Sequence, residues 1–365
     1  MGLTGIDLHE VIYRMNEELK ARVLGLINTC TIARQRNEVI YRGELASPGS
    51  FDRMGLKRAI SEVGGSLYTE EVGGKIFLVA TFPESGKARK KWGLNLMLFL
   101  VTVVSTVFVG AVLEEVNPMN GMSYVLKGVP FSITIMGILG LHELGHYFAA
   151  RRYGLDVSLP YFIPFPTLLG TMGAFIKMRS PIHNRRMLLE IGAAGPLAGL
   201  VASIPAVIYG LSLSTFQPVP AGGEGGLSLG SSLLFSALER LVVGTPPEGR
   251  ELFLNPVAFA GWAGLFVTAL NLLPIGQLDG GHVSYALFGP LQRKISLVFF
   301  LILVPLGIWW WQGWLVWIVL IIFLVRIAHP PVIYEEVPIG KWRKVVGWVV
   351  ILTFILTFIP APLKL

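Results

Sequence analysis

The chain has 365 residues, 53% of them hydrophobic and 15% charged, with a mean hydropathy of +0.63. A soluble globular chain carries about 25% charge, so this composition argues against an ordinary soluble protein and for a polytopic membrane protein. The net charge of +7 is not a nucleic-acid signal, because the basic residues cluster beside apolar runs (Lys87, Arg89, Lys90, Lys91; Arg151, Arg152; Arg185, Arg186; Arg293, Lys294) and no nucleic-acid-reading motif accompanies them.

The start, MGLTGIDLHE, has no basic segment followed by an apolar one, so no cleavable signal peptide is expected. Ile6 stands where myristoylation of Gly2 would need Ser or Thr. Cys30 is the one cysteine, which rules out a disulfide within the chain and reads as a buried reduced thiol. Residues 1–90 are polar and read as a small soluble α+β domain. A helical pattern covers Leu8 to Ile27. EVIYRGEL reads as a strand, Phe51 to Val63 as a helix, and Ser66 to Thr81 as a hairpin turning at Gly73-Gly74. Nothing in this domain has catalytic spacing. The basic stretch GKARKKW then leads into a membrane domain, residues 91–365.

Apolar runs of spanning length follow at Gly93–Leu113, Pro130–Ala150, Met187–Leu211 and Val257–Leu273. Ile295–Val325 would be about 46 Å long as one helix. Its middle reads WWWQGW, and tryptophan prefers the membrane interface. Arg293 and Lys294 flank one end and Arg326 the other, so both ends belong on one side, and a tight hairpin of two short helices is expected. A last run covers Val345–Pro360. The total is about seven spans. Basic loops near 87–91, 151–186, 293–294 and 326–344 put the N-terminus on the cytoplasmic or equivalent face. No internal repeat appears, which argues against a transporter made of inverted halves. The Gly/Pro-rich stretch 212–255 reads as a loop on the opposite face, with Ser231–Val243 as an amphipathic helix.

The second span contains His142-Glu143-Leu144-Gly145-His146. Histidines at i and i+4 project from one helix face and can share a Zn²⁺, while Glu143 beside them can take a proton from the attacking water. An ionisable group near the centre of a spanning helix costs about 2.5–3.5 kcal/mol even on the lenient insertion scale. Three within five residues need a partner, and a metal supplies one. A catalytic site needs a third protein ligand. Asp279, in NLLPIGQLDGG just after the fourth span, is the first candidate. Gly276, Gly280 and Gly281 around it would let the chain turn and carry the carboxylate inward. His282 and His329 are weaker alternatives; His9 and His183 read as non-ligands.

Between these motifs, residues 159–178 read LPYFIPFPTLLGTMGAFIKM. Three prolines and two glycines forbid an ordinary spanning helix, yet the stretch is apolar. It reads as a re-entrant loop or hairpin lining the site, since irregular backbone at membrane depth needs cover from protein or a water cavity. Gly170 and Gly173 permit close backbone approach, and Ala174-Phe175-Ile176 has strand character. This segment is the candidate edge to which an unwound substrate adds as a strand. GPLAG at 195–199 reads as a close-packing site between helices.

The pairing of HExxH with Asn271, Pro274, Asp279 and Gly280, an intact NxxPxxxxDG, resembles the site-2 protease family of intramembrane metalloproteases. The resemblance covers about residues 93–330. The wording NLLPIGQLDGG, a domain ahead of the first span and no PDZ-like insert between the motifs are similar to the plant-chloroplast and cyanobacterial branch named for ethylene-dependent gravitropism-deficient, yellow-green plants. The resemblance implies His142, His146 and Asp279 as zinc ligands, Glu143 as general base, and Asn271 as a residue that holds substrate or steadies the oxyanion. It implies cleavage of membrane-protein substrates within or near a transmembrane segment. The alternative is a non-catalytic transporter or protease-like chaperone. Gly276 stands where many members carry a second proline, so a looser turn is expected there.

Overall fold

The structure, a computed structural model, describes residues 31–35, 38–44, 52–62, 65–72, 75–83, 92–114, 116–218, 228–325 and 327–364. The helix expected over Leu8 to Ile27, Cys30 and the Gly73-Gly74 turn lie outside the described residues. The chain divides into two units, residues 1–90 and 91–365.

In the first unit, strands β1 (Thr31–Gln35), β2 (Glu38–Glu44), β3 (Ser66–Val72) and β4 (Lys75–Pro83) form an antiparallel sheet in the order β1-β2-β4-β3. The apolar run in KIFLVATFP explains the central place of β4, which buries three successive residues, Leu78, Val79 and Ala80. Helix α1 (Arg53–Glu62) buries Ile60, and the Arg53 guanidinium donates to the Thr69 carbonyl on β3 at 3.2 Å. Strand β1 escaped the sequence reading because TIARQ is short and half polar.

The second unit is mainly helical. Helices α2 (Trp92–Leu113) and α3 (Val129–Arg152) come first, then a hairpin of β5 (Tyr161–Pro164) and β6 (Thr171–Phe175). Helix α4 (Arg185–Ser212) follows, begun by the Asn184 side chain, which accepts from the Met187 N–H at 2.9 Å. Four stretches among the described residues are long and apolar enough to cross a membrane: Trp92–Leu113, Met122–Arg152, Arg185–Ser212 and Asp279–Trp309. The outward face of α2 exposes Leu96, Met97 and Leu100, an apolar surface that a bilayer covers.

The stretch read as a loop at 212–255 holds more structure than expected. Strands β7 (Thr215–Pro218), β8 (Ser228–Leu229) and β9 (Arg250–Phe253) lie in it, with β7 paired to β9. Helix α5 (Leu233–Val242) is capped by Ser232 and buries Phe235 and Leu238 while Leu233 and Leu241 stay exposed. Helix α6 (Pro256–Asn271) starts on an Asn255 cap and a first-turn proline. Helix α7 (Asp279–Phe288) is followed by α8 (Gln292–Trp309) and α9 (Gly313–Leu320), which break at residues 310–312 within the tryptophan run. A Cβ on Gly307 would stand 2.6 Å from the Leu315 side chain, so the two helices pack side by side, as the flanking charges suggested. Helix α10 (Lys341–Thr357) and strand β10 (Leu363–Lys364), paired to β8, complete the unit.

Helix α4 is central and packs on α3, α6 and α7. Small residues allow this. A Cβ on Gly145 would lie 2.5 Å from the Ala194 carbonyl oxygen, and one on Gly210 would lie 2.1 Å from the Ala258 nitrogen. The α3–α4 and α4–α6 pairs therefore meet backbone to backbone. Phe131, Ile135 and Leu139 of α3, Val207 and Leu211 of α4, and Trp262 and Leu265 of α6 fill the core around them.

Candidate metal centre

Helix α3 presents His142 and His146 one turn apart, and α7 presents Asp279 as its first residue. A carboxylate there is favoured by the positive end of the helix dipole. His142 Nε2, His146 Nε2 and Asp279 Oδ2 lie 3.2 Å from one another in all three pairs. A tetrahedron with zinc–nitrogen and zinc–oxygen bonds of about 2.0–2.1 Å has edges of about 3.3 Å. The three donor atoms thus make one face of such a tetrahedron, and they fit zinc in chemistry as well as in spacing. They are the one such cluster of three His, Cys, Asp or Glu residues among the described residues. His142 and His146 are 4% and 7% exposed, so bulk water does not compensate these polar groups, and a cation would.

His146 is oriented from behind. Its Nδ1 donates to the Ile191 carbonyl of α4 at 2.7 Å, which leaves the Nε2 lone pair for a metal. Asn271, the last residue of α6, brings its side-chain amide to 3.2 Å from His142 Nε2. Glu143, between the two histidines on α3, is 6% exposed.

Glycines on α4 leave room for the imidazoles. A Cβ on Gly195 would stand 2.1 Å from His146 Nε2, and one on Gly199 would stand 3.1 Å from His142 Nδ1. The GPLAG segment, read in the sequence as a packing site only, therefore also makes room for the metal-binding face. The signal that could have shown this is the stripe Gly192, Gly195 and Gly199, which puts small residues along one helix face opposite His142 and His146.

Two further expectations change. Gly276 alone turns the chain before Asp279, at φ +52°. Gly280 and Gly281 are helical, and their role is close packing: a Cβ there would lie 1.9 Å from the Leu272 carbonyl and 2.3 Å from the Gly276 carbonyl. The turn is not loose either, since the Ser296 hydroxyl donates to the Pro274 carbonyl at 2.9 Å and accepts from the Gly276 N–H at 3.3 Å. His282 and His329 lie outside the three-donor cluster and bond each other instead, at 2.7 Å.

Of the hairpin candidates, Gly170 sits in the turn, Gly173, Ala174 and Phe175 lie on β6, and Ile176 follows it. Gly173 has φ +106° with open space where a Cβ would be, so its need is conformational. Gly170, at φ +71°, also packs on α2: the Ser105 hydroxyl donates to its carbonyl at 2.7 Å. Asn95 donates to the carbonyls of Leu159 and Pro160, both at 3.0 Å. The irregular backbone is thus covered by α2. The sheet has two strands, so one edge of β6 carries no partner strand among the described residues. Beside the hairpin opens an apolar cavity of about 1250 Å³, walled by Val104 and Phe108 of α2, by Trp262, Phe266 and Leu270 of α6, and by Trp311.

The model of peptidase family M50 matches residues 130–307, the part that holds His142, Glu143, His146, Asn271 and Asp279. This chain belongs to peptidase family M50. That is the site-2 protease family, as the paired motifs implied. Among its M50 relatives, a probable zinc metalloprotease, EGY1, chloroplastic, of Arabidopsis thaliana is 31% identical over 295 residues, covering 73% of this chain and 53% of the relative. The probable zinc metalloprotease EGY2, chloroplastic, of Oryza sativa subsp. indica is 34% identical over 182 residues, covering 48% and 32%. The probable zinc metalloprotease EGY3, chloroplastic, of the same subspecies is 25% identical over 370 residues, covering 88% and 60%. The chain spans about half the length of the curated relatives it matches, 53% for EGY1. No solved structure matches it.

Proposed function

We propose that this chain is an intramembrane zinc endopeptidase that cuts membrane proteins within or near a transmembrane segment. The observation that carries the reading is the buried 3.2 Å triangle of His142, His146 and Asp279, set among helices apolar enough to span a bilayer. Zinc held by these three residues supplies a water acidic enough to ionise near neutral pH. Glu143 takes the proton of the attacking water and passes it to the leaving amine. The Asn271 amide donates to the oxyanion that forms on the scissile carbonyl.

A helical substrate hides each carbonyl in its own hydrogen bonds, and unwinding it in lipid leaves polar groups unpaired at several kcal/mol each. The free edge of β6 (Thr171–Phe175), flanked by Gly170 and Ile176, offers replacement bonds. The apolar cavity beside the hairpin suits the rest of the segment. Strand pairing uses alternate residues. N-methylating the backbone of a substrate peptide, one residue at a time, should therefore slow cleavage at every second position, by about tenfold for each hydrogen bond of about 1.4 kcal/mol removed. A scan with no period of two would exclude pairing at β6.

The wider architecture belongs to the same reading: about seven spans, with α6, α9 and α10 added to the four stretches that are long enough by themselves, and residues 1–90 as a separate soluble module. The basic loops favour an N-terminus and a site mouth on the cytoplasmic or equivalent face. In a Cys30→Ser background, a cysteine at Arg185 should react with an impermeant thiol reagent from that face. Reaction from the other face would invert the topology.

A further inference from the structure

Residues 327–340 form a strap without regular structure between α9 and α10. The strap lies outside the part that matches the M50 model, yet it is bonded to the helices that build the metal centre. The Tyr334 N–H donates to the His183 carbonyl at 2.7 Å, just ahead of α4, and Arg186 of α4 donates to the Pro338 carbonyl at 3.0 Å. Val332 and Ile339 pack with Leu188 and Leu189 of α4 and with Tyr285 and Ala286 of α7.

The strap's His329 reaches both flanks of Asp279. On the far side, its ring lies on Tyr285, centroids 4.6 Å apart, and its Nε2 is 2.7 Å from Nδ1 of His282, one turn after Asp279. His329 Nδ1 faces the Pro330 carbonyl at 2.5 Å, and a carbonyl only accepts, so Nδ1 carries the proton. Burial holds this imidazole down to about 4, so it is neutral near pH 7. Its Nε2 is then an acceptor, and His282 Nδ1–H is the donor. On the near side, the His329 backbone N–H donates to Gln292 Oε1 at 3.3 Å. Gln292 Nε2 donates to the Ser296 hydroxyl at 2.7 Å, and that hydroxyl holds Pro274 and Gly276 in the turn leading to Asp279. Gln292 and Ser296 are buried, so water does not stand in for a lost member of this chain of bonds. From the opposite direction α4 presses on α7 at Gly192, where a Cβ would come within 2.9 Å of the His282 Cβ.

We propose that His329 is a positioning residue for Asp279, holding the turn before it through Gln292 and Ser296 and the helical turn after it through His282. The proposal rests on reading Asp279 as a metal ligand. Groups that orient ligands from behind typically change metal affinity or activity by 10–100-fold when lost. The test uses the full chain purified in detergent and loaded with Co²⁺, whose visible absorbance reports the geometry of its ligands and its loss to excess chelator. His329→Ala should release cobalt about tenfold faster than wild type and alter the absorbance. Ser296→Ala, which cuts the other arm with a small change in volume, should do the same. His329→Gln, which keeps an acceptor where Nε2 stood, should return release toward the wild-type rate. Tyr285→Phe, which keeps the ring and loses the hydroxyl bonded to Glu335, should behave as wild type. Wild-type release rates and spectra in both alanine variants would overturn the positioning role alone. Release from Tyr285→Phe as fast as from His329→Ala would also overturn it, because general loosening of the strap would then explain the effect. A wild-type chain that takes up no cobalt would overturn the metal reading and this proposal together.

Discussion

Replacing Glu143 with glutamine is expected to abolish cleavage while leaving the metal in place. Glutamine has nearly the same shape, so the packing of this buried side chain is kept. No Glu143 oxygen belongs to the three-donor cluster, so the ligands are untouched. The amide cannot take a proton from water, and loss of a general base lowers rates by about 10²–10⁴-fold. The check is zinc content and cleavage measured on the same preparation. Cleavage near the wild-type rate with zinc bound would remove Glu143 from the mechanism.

Gly195→Ala should produce the opposite split, with metal lost and the fold retained. The added methyl would sit 2.1 Å from His146 Nε2, the donor atom itself, and 2.4 and 2.5 Å from its two ring neighbours. The ring cannot easily retreat, because its other nitrogen is bonded to the Ile191 carbonyl at 2.7 Å. A decrease in metal affinity of about 100-fold is expected, at the upper end for orienting groups. Gly199→Ala is the graded partner. Its methyl would lie 3.1 Å from His142 Nδ1, a contact that a few tenths of an ångström relieve, so its effect should be much smaller. Helix content by circular dichroism should match wild type in both. Equal zinc retention in the two variants would mean that α4 does not shape the centre.

The parts of this site that were legible in the sequence are those whose chemistry is fixed by spacing along one element. His142, Glu143 and His146 share a helix, so their separation in space follows from 3.6 residues per turn. Asp279 was legible because so few other acidic or imidazole groups stand at membrane depth. The hairpin at 161–175 was legible from prolines and glycines in an apolar stretch, a combination with few solutions in lipid. What stayed hidden depends on pairs far apart in the chain. A stripe of small residues reads the same whether it faces another backbone or an imidazole, so Gly195 and Gly199 gave no sign of their second role. The His282–His329 bond joins positions 47 residues apart, and neither residue has a local pattern that points to the other. Strands β7 and β9 were lost in a Gly/Pro-rich stretch that resembles a loop in composition.

The central claim is that zinc on His142, His146 and Asp279 drives cleavage inside the membrane. It is tested most directly by stripping the metal from the chain reconstituted in lipid vesicles and returning zinc in steps, while cleavage of an embedded transmembrane peptide is followed. The account predicts that cleavage stops when the metal is gone and returns in proportion to zinc, saturating at one ion per chain. Cleavage that survives complete metal removal, or full zinc occupancy with an intact peptide, would contradict it.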